Sequence, residues 1–270
     1  MLTLTPLSNI PLIRQDDDLA DIIVKALHTD VVQLQSGDIL VIAQKIVSKA
    51  EGRMVNLATV SPSQQALELA SSTEKDPRVI ELILRESNEI LRTRPGVIIV
   101  EHKLGFVCAN AGIDHSNVSP IGNNDFSRSN LATEVATTNK PEDWVLLLPE
   151  YPDRSAEQIR QKIEAVSGVR IGVLIIDSHG RAWREGTVGA AIGLSGLPGL
   201  LDLRGKPDLF DFRLRITQVG VADELAAAAS LMMGQAAEGT PVIHVRGFPY
   251  PLREGNLNEL LRPKEQDLFR

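Results

Sequence analysis

Residues 105–117 read GFVCANAGIDHSN, in which a short apolar run gives way to small residues and then to four polar ones. The run FVC is typical of a buried strand, and the small residues after it allow close approach of backbone or ligand. Because ligands bind preferentially where strands end in loops, we predict that this strand delivers the Asp114 carboxylate to a functional loop. The alternative is that Asp114 and Asn117 only cap a turn, since both residue types hydrogen-bond to local backbone.

Residues 171–184, IGVLIIDSHGRAWR, repeat this design. A continuous apolar run predicts a strand covered on both faces, and the run ends at Asp177 and Ser178. Carboxylate and hydroxyl oxygens are ligands that hard cations prefer, so we predict that Asp114 and Asp177 bind metal. Three arginines that follow in sequence offer guanidinium groups for phosphate or carboxylate: Arg181, Arg184 and Arg204.

Composition excludes several classes of function. The chain has 270 residues, 43% of them hydrophobic and 23% charged, which is ordinary for a soluble α/β or α+β protein. A net charge of -7 without any Lys/Arg cluster disfavours a nonspecific nucleic-acid surface. No apolar run approaches the roughly 20 residues that span a bilayer, and the first residues lack the basic flank and apolar core that are typical of a signal peptide. The single Cys108 cannot form an internal disulfide, which is typical of a cytoplasmic protein. We therefore expect a cytoplasmic protein, and the absence of a long apolar run leads us to expect no membrane partner.

Periodicity and capping residues predict the elements. The predicted helices are 19–27, 62–72, 77–92, 155–167 (opened by a capping box at Ser155) and 221–237. The predicted strands are 38–43, 97–100, 105–109, 145–148, 171–176 and 241–245. A helix between the fourth and fifth of these strands predicts a βαβ unit with parallel pairing.

Three other stretches carry weaker signals. Residues 44–53 are dense in polar groups, which indicates either a functional loop or a solvated one. Residues 186–199 are rich in Gly and Ala, so backbone or ligand can approach closely there. Residues 118–141 form a polar surface insertion by composition. Residues 199–206 fail the spacing of a phosphate loop and no GxGxxG turn exists, so any nucleotide is bound in another way.

The chain resembles the coenzyme F420-0:γ-glutamyl ligase family through seven motifs in the family's order. They are IVSKAEGR at 46–53, GFVCANAGID at 105–114, LLPEYPDRSA at 147–156, DSHGRAWREG at 177–186, AIG at 191–193, DLRG at 202–205 and ADELAAAASLMMGQ at 222–235. The tail ELLRPKEQDLF resembles that of bacterial members. Some actinobacterial members carry a fused flavin-reductase-like domain that this sequence does not contain, so the resemblance implies the ligase module alone.

The resemblance implies GTP-dependent addition of L-glutamate to coenzyme F420-0, a deazaflavin, with two divalent cations (Mg²⁺ or Mn²⁺) and K⁺. It implies a mixed α+β fold, a catalytic domain over 1–247 with a tail at 248–270, and an intertwined homodimer. Catalytic roles are implied for Lys49, Asp114 and Asp177, and metal ligation for Asp114, Asp177 and Ser178. The implied GTP contacts are Ile10, Pro11, Leu12, Ile13, Gln44, Lys49, Asn117, Met233, Gly234, Gln235, Ala236, Ala237, Glu238, Gly239 and Thr240.

Two alternative functions stay open. One is a related amino acid ligase that uses the same nucleotide and metal site on a different carboxylate acceptor. The other is a catalytically silent nucleotide-binding protein. His115 and His179 are candidate general bases, although a lone loop histidine is more often solvated.

Overall fold

A computed structural model describes residues 1–118 and 143–268. The chain divides into two compact units. The first unit comprises Met1–Ile13, Asp17–Val47 and Pro149–Arg270, and the second comprises Arg14–Asp16 and Ser48–Leu148. The predicted insertion lies outside the described residues from position 119 onward. The proposed division into a catalytic domain and a tail stays a prediction.

The described residues form a mixed α+β structure, as predicted. The helices are α1 (Leu19–Thr29), α2 (Gln44–Ala50), α3 (Gln64–Thr73), α4 (Pro77–Arg85), α5 (Pro152–Ser167) and α6 (Val221–Met233). The strands are β1 (Thr3–Pro6), β2 (Ile39–Ala43), β3 (Met54–Asn56), β4 (Ser87–Arg94), β5 (Val97–His102), β6 (Val107–Ala109), β7 (Trp144–Leu146), β8 (Gly172–Arg181), β9 (Arg184–Ser195), β10 (Leu201–Asp202), β11 (Gln218–Val219) and β12 (Val242–Arg246).

The first unit is built on a five-stranded sheet in the order β1-β12-β2-β8-β9. Strands β2 and β8 pair in parallel with Ile39 opposite Gly172, and the other neighbours are antiparallel. Helix α6 packs its alanines and Leu225 against Leu174 and Ile176 of β8. Each fully buried aliphatic side chain in this cluster contributes about 1.5–3 kcal/mol, which makes the cluster the main source of stability here.

Two glycines of β9 allow the helices to approach the sheet closely, as the composition of this stretch predicts. A Cβ atom at Gly193 would lie 2.5 Å from the backbone of Pro152 in α5. A Cβ atom at Gly189 would lie 2.6 Å from Cβ of Ser230 in α6. Both helices would have to move outward to accommodate any larger residue.

The second unit contains a three-stranded sheet, β4-β5-β6, and a two-stranded pair, β3-β7. Helices α3 and α4 bury Ala66, Ile80 and Ile83 against Ile98 and Val100 of β5. Asp76 caps α4 by accepting a hydrogen bond from the Arg78 backbone N–H at 2.8 Å, and Pro77 occupies the first helical position. The Asp-Pro signal therefore predicts the start of this helix correctly.

The predicted helix over 77–92 is wrong in its second half, because α4 ends at Arg85 and residues 87–94 form β4. Strand β4 pairs antiparallel with β5, with Arg94 opposite Val97. The two residues between them, Pro95 and Gly96, make a tight turn in which Gly96 has φ 80°. Pairing across this hairpin outweighs the helical spacing of the aliphatic residues.

The predicted βαβ unit is also wrong, because β8 pairs with β2 whereas β7 pairs with β3. Both β2 and β8 are continuous apolar runs, and sequence does not say which of several such runs will be neighbours. Helix α5 begins at Pro152 after Tyr151, so Ser155 lies inside the helix and does not cap it. The predicted end at Gly168, which adopts a left-handed conformation with φ 73°, is confirmed.

Smaller differences affect three more elements. Residues 44–50 form helix α2 where a loop is predicted, and α6 ends at Met233, four residues before the predicted end. Strand β1 is absent from the sequence prediction. It gains its stability from pairing with β12, which is distant in sequence.

Candidate active site

The second unit brings Lys49 and Asn117 together. Lys49 lies in the last turn of α2, and its Nζ donates a hydrogen bond to the carbonyl oxygen of Asn117 at 2.8 Å. Asp114 is held by its backbone, which donates to and accepts from Leu146 at 3.0 and 2.9 Å. Lys49 of α2 therefore contacts the same segment, residues 114–117, that carries the predicted Asp114 carboxylate.

A left-handed turn precedes Asp114. Asn110, Ala111 and Gly112 have φ angles of 52°, 53° and 65° in succession. Asn110 Oδ1 accepts a hydrogen bond from the Ile98 backbone N–H at 3.1 Å, and Ala111 is fully buried. A left-handed conformation costs roughly 1–2 kcal/mol at a non-glycine residue, and such residues concentrate at functional sites. The prediction of a loop beginning after β6 is confirmed in this geometry.

The first unit carries Asp177, Ser178 and His179 within strand β8. The prediction that the strand ends at Asp177 is wrong, because β8 continues to Arg181 as one arm of a hairpin with β9. Alternation along a strand puts Asp177 and His179 on one face and Ser178 on the other. His179 Nε2 lies 3.0 Å from Asp177 Oδ2, so the imidazole and the carboxylate form a pair.

Ser178 contacts Gln235, which follows α6. Ser178 Oγ donates to Gln235 Oε1 at 2.8 Å, and Gln235 Nε2 donates to Ser230 Oγ at 2.9 Å. The sequence places Ser178 and Gln235 in different motifs with different implied roles, and no local pattern connects residues 57 positions apart. This contact is the feature of the site that sequence reasoning misses.

Residues 233–240, the predicted nucleotide segment, form a compact turn after α6. Thr240 Oγ1 donates to the Met233 carbonyl oxygen at 3.0 Å, and the Ala236 backbone N–H donates to Glu238 Oε2 at 2.8 Å. The hydrogen bond from Ala236 lowers the pKa of the Glu238 carboxyl. The first unit carries two more of the predicted GTP contacts. Gln44 is buried, and residues 10–13 connect β1 to α1.

The three predicted arginine clamps differ in their surroundings. Arg204 donates to both oxygens of Asp202, at 2.9 and 3.0 Å from Nε, and thereby lowers the pKa of Asp202 to about 2. Arg181 Nη2 donates to the Glu185 carbonyl oxygen at 3.4 Å, near the tip of the β8-β9 hairpin. Arg184 begins the returning strand and is exposed. Arg181 and Arg184 therefore lie in the same β8-β9 hairpin as Asp177, whereas Arg204 lies outside it.

His115 has an environment that disfavours its charged form. Burial lowers its pKa, and the nearby Lys75 cation lowers it further, while Asp76 acts in the opposite direction. His115 directly follows Asp114 in the chain. The assignment of His115 and His179 as general bases stays a prediction.

Each unit carries predicted oxygen donors of its own. Within residues 1–118 and 143–268, no three His, Cys, Asp or Glu side chains are grouped so as to hold a metal ion. The second unit offers the Asp114 carboxylate, and the first offers the Asp177 carboxylate, the Ser178 hydroxyl and the Gln235 amide oxygen that contacts it. Mg²⁺ typically takes one or two protein carboxylates and fills its remaining positions with water and substrate phosphate oxygens. Each unit therefore supplies oxygen donors of the type that this mode of binding uses, and metal ligation by Asp114, Asp177 and Ser178 stays a prediction.

The helices in the described part of the chain give no candidate membrane span, because none is both long enough and apolar enough.

Comparison with known proteins gives one consistent result. The profile of the family described as F420-0:Gamma-glutamyl ligase matches residues 8–247. A protein of Methanothermobacter thermautotrophicus named coenzyme F420:L-glutamate ligase is 45% identical over 100% of this chain and 99% of its own length. Proteins with the same name from Methanocaldococcus jannaschii and Archaeoglobus fulgidus are 44% and 38% identical, over 88% and 98% of this chain and 86% and 95% of their own lengths.

Proposed function

Because the chain belongs to the F420-0:gamma-glutamyl ligase family, we propose that it is a ligase that joins L-glutamate to coenzyme F420-0. The observation that carries this proposal is the match along essentially the whole chain to proteins named coenzyme F420:L-glutamate ligase. The alignment leaves no large part of this chain or of that relative uncovered. Ligase chemistry follows from the family, and the roles proposed for individual residues follow from the resemblance of their motifs to those of the family.

We propose that the reaction uses GTP and passes through an acyl phosphate. The acceptor carboxylate attacks the γ-phosphorus, the bond to the β-phosphate oxygen breaks, and GDP leaves. The glutamate amine then attacks the acyl carbon, the amide bond forms, and inorganic phosphate leaves while the amine loses a proton. The first step brings an anionic nucleophile to an anionic triphosphate, so charge neutralisation and alignment are the dominant requirements.

Divalent cations would supply this charge neutralisation and would align the phosphate oxygens. We propose Asp114 as a ligand in the second unit, and Asp177 and Ser178 as ligands in the first, for two Mg²⁺ or Mn²⁺ ions supported by K⁺. Gln235 Oε1 contacts Ser178 Oγ, so an additional oxygen that could bind a metal ion lies beside Ser178. The ammonium group of Lys49 adds a positive charge beside the segment that carries Asp114.

The proposed GTP contacts comprise residues 10–13, Gln44, Lys49, Asn117 and residues 233–240. Support for the last segment is its backbone, in which Gly234 and Gly239 have φ angles of 73° and 70° and turn the chain sharply. Turns of this kind present backbone N–H groups to anions.

We propose a homodimer. Support comes from exposed apolar side chains between β10 and β11, where Leu209, Phe210 and Ile216 are 96%, 90% and 87% exposed. Trp183, at the tip of the β8-β9 hairpin, is 88% exposed. Large apolar side chains exposed to water are unfavourable, and surfaces rich in them commonly mark protein interfaces.

The decisive experiment is mass spectrometry of F420-0 incubated with the purified protein, GTP, L-glutamate, Mn²⁺ and K⁺. A product heavier by one or more glutamyl units supports the proposal and gives the tail length. Parallel reactions with ATP in place of GTP test the nucleotide preference. Unmodified F420-0, under conditions in which a control ligase converts it, would refute the proposal and direct the search to another carboxylate acceptor.

A further inference from the structure

Arg53 joins three segments of the second unit. It follows α2 and precedes β3, and its backbone N–H donates to the Ser48 carbonyl oxygen at 2.9 Å. Its carbonyl oxygen accepts from the Leu147 N–H at 3.1 Å. Its guanidinium uses two nitrogens: Nε donates to the Leu148 carbonyl oxygen at 2.9 Å, and Nη2 donates to Glu86 Oε2 at 2.6 Å. The contacts of one residue thus connect the exit of α2, the continuation of β7 and the end of α4.

The Glu86 carboxylate is a fixed anchor for this guanidinium. Glu86 is the C-terminal cap of α4, where its N–H donates to the Leu82 carbonyl oxygen at 3.0 Å. Its own carbonyl oxygen accepts from the Lys103 N–H at 3.0 Å. The side chains of Arg53 and Glu86 are only 21% and 15% exposed, so water competes weakly for the ion pair.

The ring of His102 lies close to the Glu86 carboxylate. Its Nε2 lies 4.0 Å from Glu86 Oε2, and its Nδ1 accepts a hydrogen bond from the Leu104 N–H at 3.0 Å. His102 is 2% exposed and stacks on Phe106 at a centroid distance of 5.3 Å. These contacts leave the carboxylate little freedom to follow a displaced guanidinium.

The strand that Arg53 holds is the one that pairs with Asp114. Leu146 lies opposite Met54 in the β3-β7 pair and forms a two-way backbone bridge with Asp114 on its other side. Arg53 fixes the two residues that directly follow Leu146, namely Leu147 and Leu148. A shift of this strand would therefore be transmitted directly to the backbone of Asp114.

The backbone turn that ends at Arg53 directly follows Lys49. The turn from α2 to Arg53 is closed by hydrogen bonds from the Gly52 N–H to the Lys49 carbonyl oxygen at 3.1 Å and from the Arg53 N–H to Ser48. Lys49 in turn reaches the Asn117 carbonyl oxygen. Hydrogen bonds therefore link the turn that carries Lys49 and Arg53 to β7, link β7 to Asp114, and link Asn117 back to Lys49.

We propose that Arg53 is a positioning residue that holds the Asp114 backbone and Lys49 in the geometry needed to bind a divalent cation. This inference rests on the proposed function, in which Asp114 is a metal ligand. Arginine is required because its planar guanidinium donates to two acceptors in fixed directions, whereas a lysine ammonium keeps the charge without that fork.

The test measures Mn²⁺ binding directly, by electron paramagnetic resonance of the free ion, so it does not depend on turnover. The wild-type protein, Asp114→Asn, Arg53→Lys and the control Arg85→Lys are titrated. Arg85 is a matched control because it pairs with Glu81 at 2.9 Å in the same unit, with 53% of its side chain exposed. We expect Asp114→Asn to abolish one class of site, Arg53→Lys to weaken that same class about tenfold, and Arg85→Lys to leave it unchanged.

Glu86→Gln provides a second test if Arg53→Lys fails to fold. It retains an acceptor oxygen for the guanidinium but removes the negative charge, so we expect folded Glu86→Gln to bind Mn²⁺ more weakly than the wild-type protein, by a factor of less than about ten. Unchanged Mn²⁺ affinity in folded Arg53→Lys or Glu86→Gln would overturn the inference, as would an equal loss in Arg85→Lys. So would a wild-type protein with no more Mn²⁺ sites than Asp114→Asn.

The outcome for Arg53 can be separated from the outcome for the proposed function. A wild-type protein that binds Mn²⁺ at Asp114 but leaves F420-0 unmodified refutes the proposed reaction, while the Arg53 comparison still stands on metal binding. Conversely, normal glutamyl transfer with unchanged Mn²⁺ binding in Arg53→Lys refutes only the role of Arg53.

Discussion

Gly112 offers a stringent test of how the chain reaches Asp114, because two separable effects oppose any side chain there. Its φ is 65°, a left-handed conformation that costs an L-residue roughly 1–2 kcal/mol. An added Cβ would also lie 2.6 Å from Cδ1 and 2.9 Å from Cγ of Leu148, which is fully buried. Overpacking a rigid core costs about 1–3 kcal/mol. We expect Gly112→Ala to lower the free energy of unfolding by about 2–5 kcal/mol.

Gly96 provides the matched control. It lies in the same unit with φ 80°, and a Cβ there meets nothing within 4 Å, so Gly96→Ala should show the conformational cost alone, about 1–2 kcal/mol. The chain has two tryptophans, of which Trp144 lies in the second unit, so a Trp183→Phe background lets fluorescence report on that unit during urea unfolding. Equal losses in Gly112→Ala and Gly96→Ala would refute the argument, because contact with Leu148 would then contribute nothing. Partial recovery of Gly112→Ala by Leu148→Ala would support it.

Three further predictions concern chemistry, pH and assembly. Asp177→Asn should retain the fold but reduce glutamyl transfer roughly 100-fold, since it removes a metal-binding carboxylate; near-normal turnover would contradict the metal assignment. Burial alone would raise the pKa of Asp38, but hydrogen bonds from Arg246 and His244 outweigh it, so the folded-state pKa lies below the unfolded value of 3.8. The stability that Asp38 contributes is therefore fully present above pH 3.8 and is lost as the pH falls through the pKa of the folded state. We expect the free energy of unfolding of Asp38→Asn, measured by urea titration, to fall less steeply than that of the wild-type protein as the pH is lowered below 3.8. The same steepness in both proteins would contradict this. Phe210→Ser should shift the molar mass seen by light scattering from dimer to monomer without loss of helical circular dichroism, and an unchanged mass would exclude Phe210 from the interface.

Local signals in the sequence were sufficient for much of the fold. Asp18 and Asp76 mark two helix starts, Gly168 marks a helix end, and the apolar runs of β2, β8 and β12 are strands. Each of these depends on interactions within a few residues: a side chain that caps its own helix, a glycine that adopts a left-handed turn, or an apolar run too short to be a helix. The order of long motifs was also sufficient to identify the family before any contact was known.

Pairing between distant segments was decided only by tertiary structure. Residues 87–94 have helical spacing but become β4, because hydrogen bonds to β5 and the turn at Gly96 are stronger than local preference. Sequence could not choose β2 as the parallel neighbour of β8, since several buried strands share the same apolar character.

The same distinction holds for the candidate site. Sequence motifs single out Asp114, Asp177 and Ser178 as ligand candidates, because carboxylates and hydroxyls near buried strands are chemically distinctive. The contact of Ser178 with Gln235 and the two-acceptor role of Arg53 follow only from the folded chain. Side chains that orient others act through distances and angles between remote residues, and these have no counterpart in the spacing of residues along the sequence.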